Sequence, residues 1–468
     1  PISPHAIRRY TNIMAKTIIK NATILSMDPT IGDTKGDILI DGTQLKAVGD
    51  DLGDMQADEI IDATGMVAIP GMVDGHRHMW QGAIGGVAAG FCLNDYFGTV
   101  LGKLNPQYRP DDAYAGVLFS GVEALNAGVT TIVDWSHVVT TPDHADECVR
   151  GHQDSGARVL FCYGFPVGLS VPDWVFNSAL THPEDAGRMR REVLSNDSAD
   201  ERITMGLALR GPGMAQPDVT EHDIRFGRDL GIPFMSMHAG EPEFHVANQT
   251  VKVLSDRDLM GPDLHFAHGN QFDAEDLKIV VDADAGITIT PIVELEMGLG
   301  FPMLTPFLEA GGVPSIGVDT ITGTGHDLMT QMRGALAAER ARVHQPTLDA
   351  GKLMESVDLM PRDFLYWATM GGAKAINLDD RIGSLTPGKQ ADIVLMRARG
   401  PMNDPATTIV TAMDTSNVDT VIVAGKTQKR AGAMLNGASE RAEKLVNASR
   451  DYVVPKADLK ETVGAAWG

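Results

Sequence analysis

The sequence predicts an α/β fold: a (β/α)8 TIM barrel with a composite β-sandwich domain built from the N- and C-terminal segments. Two observations lead to this prediction. In the middle of the chain, eight short apolar runs alternate with amphipathic stretches, a pattern typical of parallel strands joined by helices. At both ends, short strand-like runs are separated by turn residues, which favours a sheet assembled from two separate segments.

The domain boundaries follow from these patterns. The β-sandwich is assigned residues 14–69 and 381–437, the barrel residues 70–380, and a helical tail residues 438–468. The N-terminal segment alternates apolar and polar residues in runs such as KTIIKNATILSMD, and Asp-Gly and Asp-Pro pairs mark its turns. The late run GKQADIVLMRA repeats this alternation, so the chain is expected to leave the sheet and return to it.

Each predicted barrel strand is a short apolar run, and many of these runs end near a polar residue. The eight runs are GMVDGHRH, VTTIVDWSH, ARVLFCYGF, ITMGLALRG, IPFMSMHAGE, DLHFAHGN, ITITPIVEL and GVPSIGVDT. The stretch DDAYAGVLFSGVEALNAG between the first two has apolar residues at helical spacing and closes on Gly128, a helix C-cap signal. In such a barrel the C-terminal ends of the strands meet at one mouth, where active sites lie.

Composition limits the classes of function. The 468 residues are 43% hydrophobic and 22% charged, which is ordinary for a globular protein with a large core. The net charge of -23 repels phosphate backbones and anionic membranes, so neither nucleic acid nor membrane is expected as a partner. Three cysteines without a CxxC pair favour the reducing cytoplasm. No run approaches the ~18 apolar residues that a membrane span needs.

Polar side chains at the strand ends form the candidate site. His76 and His78 end the first run, and their spacing places both side chains on the same side of a strand. His238 ends the fifth run and Asp319 ends the eighth. Three imidazoles and a carboxylate around one point make a metal site that keeps an open position for catalysis. These four residues are therefore the predicted metal ligands.

Further polar residues are expected at the same mouth. Glu241 follows His238 by three residues, where a carboxylate can carry protons between water and a leaving nitrogen. Its structural alternative is an acidic residue at a helix N-terminus. His268 ends the sixth run. The remaining nearby histidines are expected to be wall or loop residues rather than ligands: His137, His245 and His326.

At these residues the sequence resembles the amidohydrolase superfamily over nearly its whole length. IPGMVDGHRHMWQG is similar to the superfamily's strand-one motif, and DDRIGSLTPGKQADIVLM is similar to its return into the sheet domain. The resemblance is greatest to the single-metal branch, which contains cytosine deaminases, adenosine-type deaminases and triazine hydrolases. HRHMWQ together with VDWSHVVTTPDHAD also resembles hydrolases of phenylurea and thiocarbamate (molinate) herbicides.

The resemblance implies a role for each site residue. It implies that the metal ligands are His76, His78, His238 and Asp319. Glu241 matches the glutamate of an HxxE motif, and His268 matches a histidine that orients water or polarises the substrate. Binuclear branches bridge two metals with a carboxylated lysine on the fourth strand, whereas ITMGLALRG has no lysine and ends at Arg210. One divalent metal per chain is therefore expected, with zinc as the default and cobalt, iron or manganese as alternatives; no other cofactor is expected.

These residues predict a hydrolase that cleaves a non-peptide C–N bond of a small molecule with metal-activated water. Asp319 or His268 accepts a proton from the water, His268 stabilises the developing oxyanion, and Glu241 protonates the leaving nitrogen. A non-catalytic oligomeric scaffold is the minor alternative, and a homo-oligomer is expected in either case.

The substrate prediction favours amides, ureas or carbamothioates. Gly269 stands where deaminases often have Cys, and GVDTITGTGHDLM departs from their strand-eight pattern. Aromatic and Met residues near the strand ends favour an apolar pocket, and ordinary packing is the structural alternative for each aromatic residue: Met79, Trp80, Phe91, Trp135 and Phe165. The alternative is an aminohydrolase of a pyrimidine, purine or triazine ring.

Overall fold

The computed structural model describes residues 16–53, 55–244 and 248–459, and within them the strands form two sheets. The nine-stranded sheet contains β1 (Lys16–Leu25), β2 (Asp33–Asp41), β3 (Gln44–Gly49), β4 (Glu59–Asp62), β5 (Met66–Pro70), β14 (Ile393–Arg397), β15 (Val418–Val423), β16 (Lys426–Arg430) and β17 (Ala433–Met434). The eight-stranded sheet contains β6 (Met72–Arg77), β7 (Val129–Ser136), β8 (Arg158–Tyr163), β9 (Ile203–Leu209), β10 (Met235–Ala239), β11 (Leu264–His268), β12 (Gly286–Ile289) and β13 (Ser315–Ile316).

The nine-stranded sheet joins the two ends of the chain. β1 pairs antiparallel with β2 and parallel with β4 and β5, and β5 pairs antiparallel with the C-terminal strand β14. Alternate apolar residues from both segments, such as Ile19, Ile38 and Ile393, share one buried cluster. The composite sheet domain predicted from the sequence is therefore confirmed, and its exact boundaries stay a proposal.

The eight-stranded sheet is parallel throughout and runs in chain order from β6 to β13. It closes next to β13, where the Asp319 N–H donates to the His76 carbonyl at 2.8 Å and the His78 N–H donates to the Asp319 carbonyl at 2.9 Å. All eight predicted runs contain a barrel strand, so the predicted TIM barrel is confirmed. Because the strands are parallel, the polar residues at their C-terminal ends lie at one mouth.

Helices alternate with the barrel strands along the chain. Within the described residues the α-helices are Leu93–Tyr96, Pro110–Asn126, Pro142–Ser155, Val171–Val175, Asp185–Arg188, Gly211–Met214, Pro217–Asp229, Thr250–Asp256, Ala274–Asp282, Pro291–Glu296, Leu304–Glu309, Leu328–Asp349, Pro361–Tyr366, Gly372–Ala375, Pro405–Ala412 and Ala438–Lys456. Shorter 3-10 and π-helical segments are Met79–Ile84, Phe97–Leu104, Asn105–Gln107, Val167–Leu169, Met189–Val193, Trp367–Gly371, Thr415–Asn417 and Leu435–Gly437. A search of the described helices found none with the length and apolar character that crossing a membrane requires.

The sheet domain is tied to the barrel by the residues at the end of the return motif. Asp392 forms a buried ion pair with Arg158 of β8, whose Nε donates to Oδ2 at 2.8 Å. Its carbonyl accepts the Gly71 N–H at 2.9 Å, just before β6 begins. A buried pair of this kind is costly to break, because removing one partner leaves a desolvated charge. The Ala-Asp pair at the end of the motif is therefore explained by the junction between the two domains.

The predicted helical tail packs outside the barrel, as Ala438–Lys456, against the helix Pro110–Asn126. Ser449 donates a hydrogen bond to Asp112 at 2.6 Å, and Ala442 lies in a buried cluster with Leu118 and Val122. Residues 460–468 of the predicted tail lie outside the described residues.

Candidate active site

Three histidines and one aspartate meet at the mouth of the barrel. His76 lies at the end of β6 and His78 directly after it, His238 lies on β10, and Asp319 follows β13. One potential ligand atom from each of these residues lies within 4.8 Å of the others. These are the four ligands predicted from the sequence, and the structure brings all of them together.

The rings present their nitrogens to a common point. The Nδ1 of His78 lies 2.7 Å from the Trp135 carbonyl, which can only accept, so this nitrogen carries the proton and Nε2 is left to face Asp319 Oδ1 at 3.2 Å. The Nε2 of His76 is 3.5 Å from the same oxygen, outside hydrogen-bond geometry. Both ring nitrogens of this fully buried histidine lack a hydrogen-bond partner among the described residues, which is costly unless a cation takes one of them. The four residues therefore fit one divalent cation.

The protonation states at the cluster suit metal binding. Burial lowers the pKa of His76 to about 4 and lowers the pKa of His238 well below its ordinary value. Burial alone would raise the pKa of Asp319, but its contacts with His76 and His78 hold that pKa well below the usual range. Neutral imidazole and ionised carboxylate are the forms that bind a metal.

His268 and Asp319 are both held in an unfavourable backbone conformation. Their φ angles are +78° and +65°, in the left-handed region that non-glycine residues rarely adopt. Strain of this kind persists where the surrounding structure over-determines it, commonly at functional sites. For Asp319, the main-chain hydrogen bonds to His76 and His78 that close the barrel supply that support.

His268 is anchored from behind by residues that the sequence patterns did not indicate. Its Nδ1 lies 3.0 Å from the Thr290 hydroxyl and 3.4 Å from Oε1 of Glu294, and its Nε2 lies 3.8 Å from Asp319 Oδ2. The fully buried Glu294 also accepts the Thr290 N–H at 2.7 Å. Burial would lower the pKa of His268, but Glu294 and Asp319 raise it to about 9. In the sequence, Glu294 looks like an ordinary acidic residue in a first helical turn.

Asp74 and Arg77 of the first strand motif have a structural role. They form a fully buried ion pair with 2.6 Å between Nε and Oδ2, and Asp74 also accepts the Val318 N–H at 3.0 Å. Arg77 donates to the carbonyl of His326 at 2.8 Å. Together these bonds connect β6 to the chain that follows β13, next to the four ligands.

A pocket lies above the cluster, and its empty space, including the part open to solvent, is about 590 Å³. Its polar lining includes Glu241, His268, Asp319 and Thr320, and its described walls are mostly apolar. The apolar lining residues are Leu93, Tyr96, Phe97, Leu101, Trp135, Phe165, Val167, Val175, Met214, Val293, Met297 and Leu299. The predicted apolar pocket is therefore present, and Glu241 and His268 both face it.

The other residues singled out in the sequence have mixed positions. Trp135, Phe165 and His137 line the cavity, and the rings of His137 and His78 lie 4.3 Å apart. Of the described lining residues none is Met79, Trp80 or Phe91. These three pack in the core, which for Trp80 and Phe91 is the packing alternative. His326 is also absent from that lining; its ring packs against Phe119. His245 lies outside the described residues.

Arg210, which ends the fourth barrel strand, is turned away from the cluster. Its guanidinium donates to Asp223 at 2.8 Å and to the Ser178 hydroxyl at 2.8 Å, and it lies over the Trp174 ring at 4.9 Å. A residue engaged in this way supplies no bridging ligand, and its guanidinium stays charged.

We expect one tightly bound transition metal per chain, because the described cluster offers one set of ligands and the fourth strand offers no bridge. Elemental analysis of protein purified without chelator measures this ratio directly. Stripping with a chelator and titrating zinc back should saturate at one equivalent. Saturation at two tight equivalents would contradict the expectation.

A parallel eight-stranded barrel with three imidazoles and one carboxylate at its mouth is the arrangement typical of a mononuclear metal-dependent hydrolase. The chain belongs to the amidohydrolase family, whose profile matches residues 67–428. It is accordingly a metal-dependent enzyme that hydrolyses C–N bonds other than peptide bonds. The resemblance seen in the sequence motifs is confirmed.

Two relatives cover most of the chain. It is 25% identical over 435 residues to a 5'-deoxyadenosine deaminase of Methanothermobacter thermautotrophicus, an alignment that covers 88% of this chain and 95% of that protein. It is 27% identical over 429 residues to a 5-methylthioadenosine/S-adenosylhomocysteine deaminase of Moorella thermoacetica, covering 88% of this chain and 94% of that protein.

Solved structures show the same fold. The atrazine chlorohydrolase of Arthrobacter aurescens, complexed with zinc, superposes with a TM-score of 0.81 at 21% identity and covers 93% of this chain and 100% of that one. An adenosine deaminase of Xanthomonas campestris with bound zinc has a TM-score of 0.78 at 18% identity, covering 94% of this chain and 98% of that one.

Proposed function

We propose that the chain is an aminohydrolase that releases ammonia from an amino-substituted heteroaromatic ring. The observation that carries this proposal is the position of Glu241 and His268, which both line a cavity opening directly onto the cluster of His76, His78, His238 and Asp319. Two relatives that align over 88% of the chain are named as deaminases, which supports ring deamination over the amide, urea or carbamothioate hydrolysis favoured by the sequence.

The proposal assigns a role to each residue of the site. His76, His78, His238 and Asp319 would hold one divalent cation, zinc by preference, whose Lewis acidity lowers the pKa of water and polarises the attacked carbon. Asp319 accepts the proton that water loses. His268, fixed through its Nδ1 by Thr290 and Glu294, presents Nε2 towards the reacting centre and stabilises developing negative charge. Glu241 carries this proton on to the leaving amino group, which departs as ammonia while the water oxygen stays on the ring carbon.

The cavity walls limit the substituents on the ring. A nucleoside carries ribose hydroxyls that need hydrogen-bond partners when they are buried. The described lining offers few such groups away from the cluster: Tyr96, His137 and Thr320. We therefore propose a neutral ring with small apolar substituents in place of a sugar.

An amide or urea hydrolase is the second candidate, and the apolar lining is the observation that favours it. A neutral N-substituted amide fits the same walls and uses the same proton transfers, with an amine rather than ammonia as the leaving group. The homo-oligomer expected from the sequence stays a prediction.

A substrate panel on zinc-loaded protein tests the proposal. We expect ammonia release from aminotriazines or aminopyrimidines that carry alkyl groups, and slower release from adenosine-type nucleosides, because the walls offer few partners for ribose hydroxyls. Chelator-treated protein is the control. Amine release from ureas, amides or thiocarbamates without ammonia from any ring would replace ring deamination by the second candidate. Faster ammonia release from the nucleosides would contradict the proposal of small apolar substituents, but it would leave ring deamination in place.

A further inference from the structure

Tyr96 brings a phenol hydroxyl into the apolar wall of the cavity. It ends the helix Leu93–Tyr96, its side chain is buried, and it lines the cavity above the cluster. Two neighbours contact its oxygen: Gln81 Nε2 at 2.6 Å and His137 Nε2 at 3.4 Å. Which group donates in each contact decides where the hydroxyl hydrogen points.

Trp80 fixes the direction of the contact with His137. The indole Nε1–H can only donate, and it lies 3.3 Å from His137 Nδ1, so that nitrogen accepts. A ring whose Nδ1 accepts a hydrogen bond carries its proton on Nε2. The opposite tautomer, with the hydrogen on Nδ1 facing the Trp135 carbonyl at 3.4 Å, would set the buried indole N–H of Trp80 against another N–H, whereas that carbonyl keeps its bond from His78 at 2.7 Å in either case. His137 Nε2–H therefore donates to the oxygen of Tyr96.

Thr320 fixes the direction of the contact with Gln81. The Thr320 hydroxyl donates to Oε1 of Gln81, which leaves the amide nitrogen to donate to Tyr96. The same hydroxyl accepts the Thr322 N–H at 3.2 Å and lies 2.5 Å from the Thr322 hydroxyl. With the Thr322 hydroxyl as donor, both lone pairs of the Thr320 oxygen are used and its own hydrogen is left for Gln81.

The Tyr96 oxygen thus accepts two hydrogen bonds, and its own hydrogen has no acceptor among the residues that the structure describes. Burial, together with the charge of Asp319, raises the pKa of Tyr96 well above its ordinary value, so the phenol keeps this hydrogen. The side that remains open to it is the cavity.

We propose that Tyr96 is a substrate-binding residue that donates a hydrogen bond to an acceptor atom of the substrate, a ring nitrogen or a carbonyl oxygen. The proposal rests on the proposed function and adds a requirement to it: the apolar ligand carries one acceptor on the side that faces Tyr96. A ligand of the same shape without that acceptor leaves a buried donor unpaired, and such ligands are discriminated against.

Two probes and two variants test the proposal on zinc-loaded protein. The probes are acetophenone and ethylbenzene, which have similar shape and differ in a carbonyl acceptor. The variants are Tyr96→Phe and, as a matched control, Tyr108→Phe. Tyr108 is also buried, its hydroxyl has no hydrogen-bond partner among the described residues, and its ring packs on Trp80 outside the cavity lining. Calorimetry measures the affinity of both probes for the wild-type protein and for each variant. Metal content is checked for every variant.

We expect the preference for acetophenone over ethylbenzene to fall about tenfold in Tyr96→Phe, because a neutral hydrogen bond is lost and a buried acceptor is left unpaired. In Tyr108→Phe the preference should stay at the wild-type value. Contact between the carbonyl and the metal is common to all variants and cancels in the comparison. An unchanged preference in Tyr96→Phe, or no binding of either probe, would overturn the proposal. This binding test does not depend on the substrate panel. If no ring substrate released ammonia but Tyr96→Phe still lost its preference for acetophenone, only the proposed reaction would be overturned.

Discussion

His238→Ala is expected to lose the bound metal and to reduce turnover at least about 10³-fold, because the Lewis acid supplies several kcal/mol and each 1.36 kcal/mol is a factor of ten in rate. His238 is central to the cluster, with ring centroids 4.8 Å from His76 and 5.3 Å from His268. Its imidazole is the only group that β10 contributes to the four described ligands. Metal content by elemental analysis and ammonia release on the best panel substrate measure the two effects.

His222→Ala is the matched control for this variant. The His222 side chain is 55% exposed on the helix Pro217–Asp229 and belongs neither to the four ligands nor to the described cavity lining, so its replacement should keep one metal per chain and near wild-type turnover. Circular dichroism shows whether both variants are folded. If a folded His238→Ala variant retained a full equivalent of tightly bound metal, the ligand assignment would be wrong.

The fold and the four ligands could be predicted from the sequence because each depends on local patterns. A buried parallel strand is a short apolar run, and the mouth of the barrel collects whatever polar residue follows it, as with His238 and Asp319. The motif around Asp392 marks the return to the sheet because the junction needs that carboxylate beside Arg158. Strand order, barrel closure and the ligand set then follow from chain order alone.

The supporting residues could not be predicted, because their roles depend on contacts between distant segments. Glu294 reaches His268 across 26 positions of sequence, and Thr320 reaches Gln81 across 239. No spacing rule distinguishes such a glutamate from one at an ordinary helix start. The sequence also does not distinguish an aromatic residue that lines the cavity from one that packs behind it. Trp135 lines the cavity whereas Trp80 lies behind His137, and the difference depends on loop geometry.

The apolar lining is compatible both with the amides that the sequence favours and with the ring deamination that the relatives favour. Apolar walls near the metal motif were anticipated, and they are present at Trp135 and Phe165. Such walls select for neutral substituents and leave the reaction type open, since fold and pocket polarity do not determine chemistry. The substrate panel decides the reaction type. Both candidate reactions need a group that brings a proton to the leaving nitrogen, and removing Glu241 tests that role.

Glu241→Gln is expected to keep the metal and to lose about 10²- to 10⁴-fold in turnover, the range for a missing general acid or base. Glutamine preserves the size and hydrogen-bonding shape of the side chain, but it cannot carry a proton to the leaving nitrogen. Glu241 is buried, lines the cavity, and its charge contributes to the raised pKa of His268. Because Glu241 is not among the four ligands, the loss should fall on kcat with one equivalent of zinc retained.

The matched control is Glu243→Gln, two residues further along the same loop, where the side chain is exposed and does not line the cavity. It removes one negative charge near the mouth, as Glu241→Gln does, without touching the site, so its turnover should stay near wild type. The comparison therefore separates proton transfer from the general effect of charge. Near wild-type turnover of a zinc-replete Glu241→Gln variant would make this glutamate structural and would leave the leaving-group proton to His268, whose Nε2 faces Asp319 at 3.8 Å.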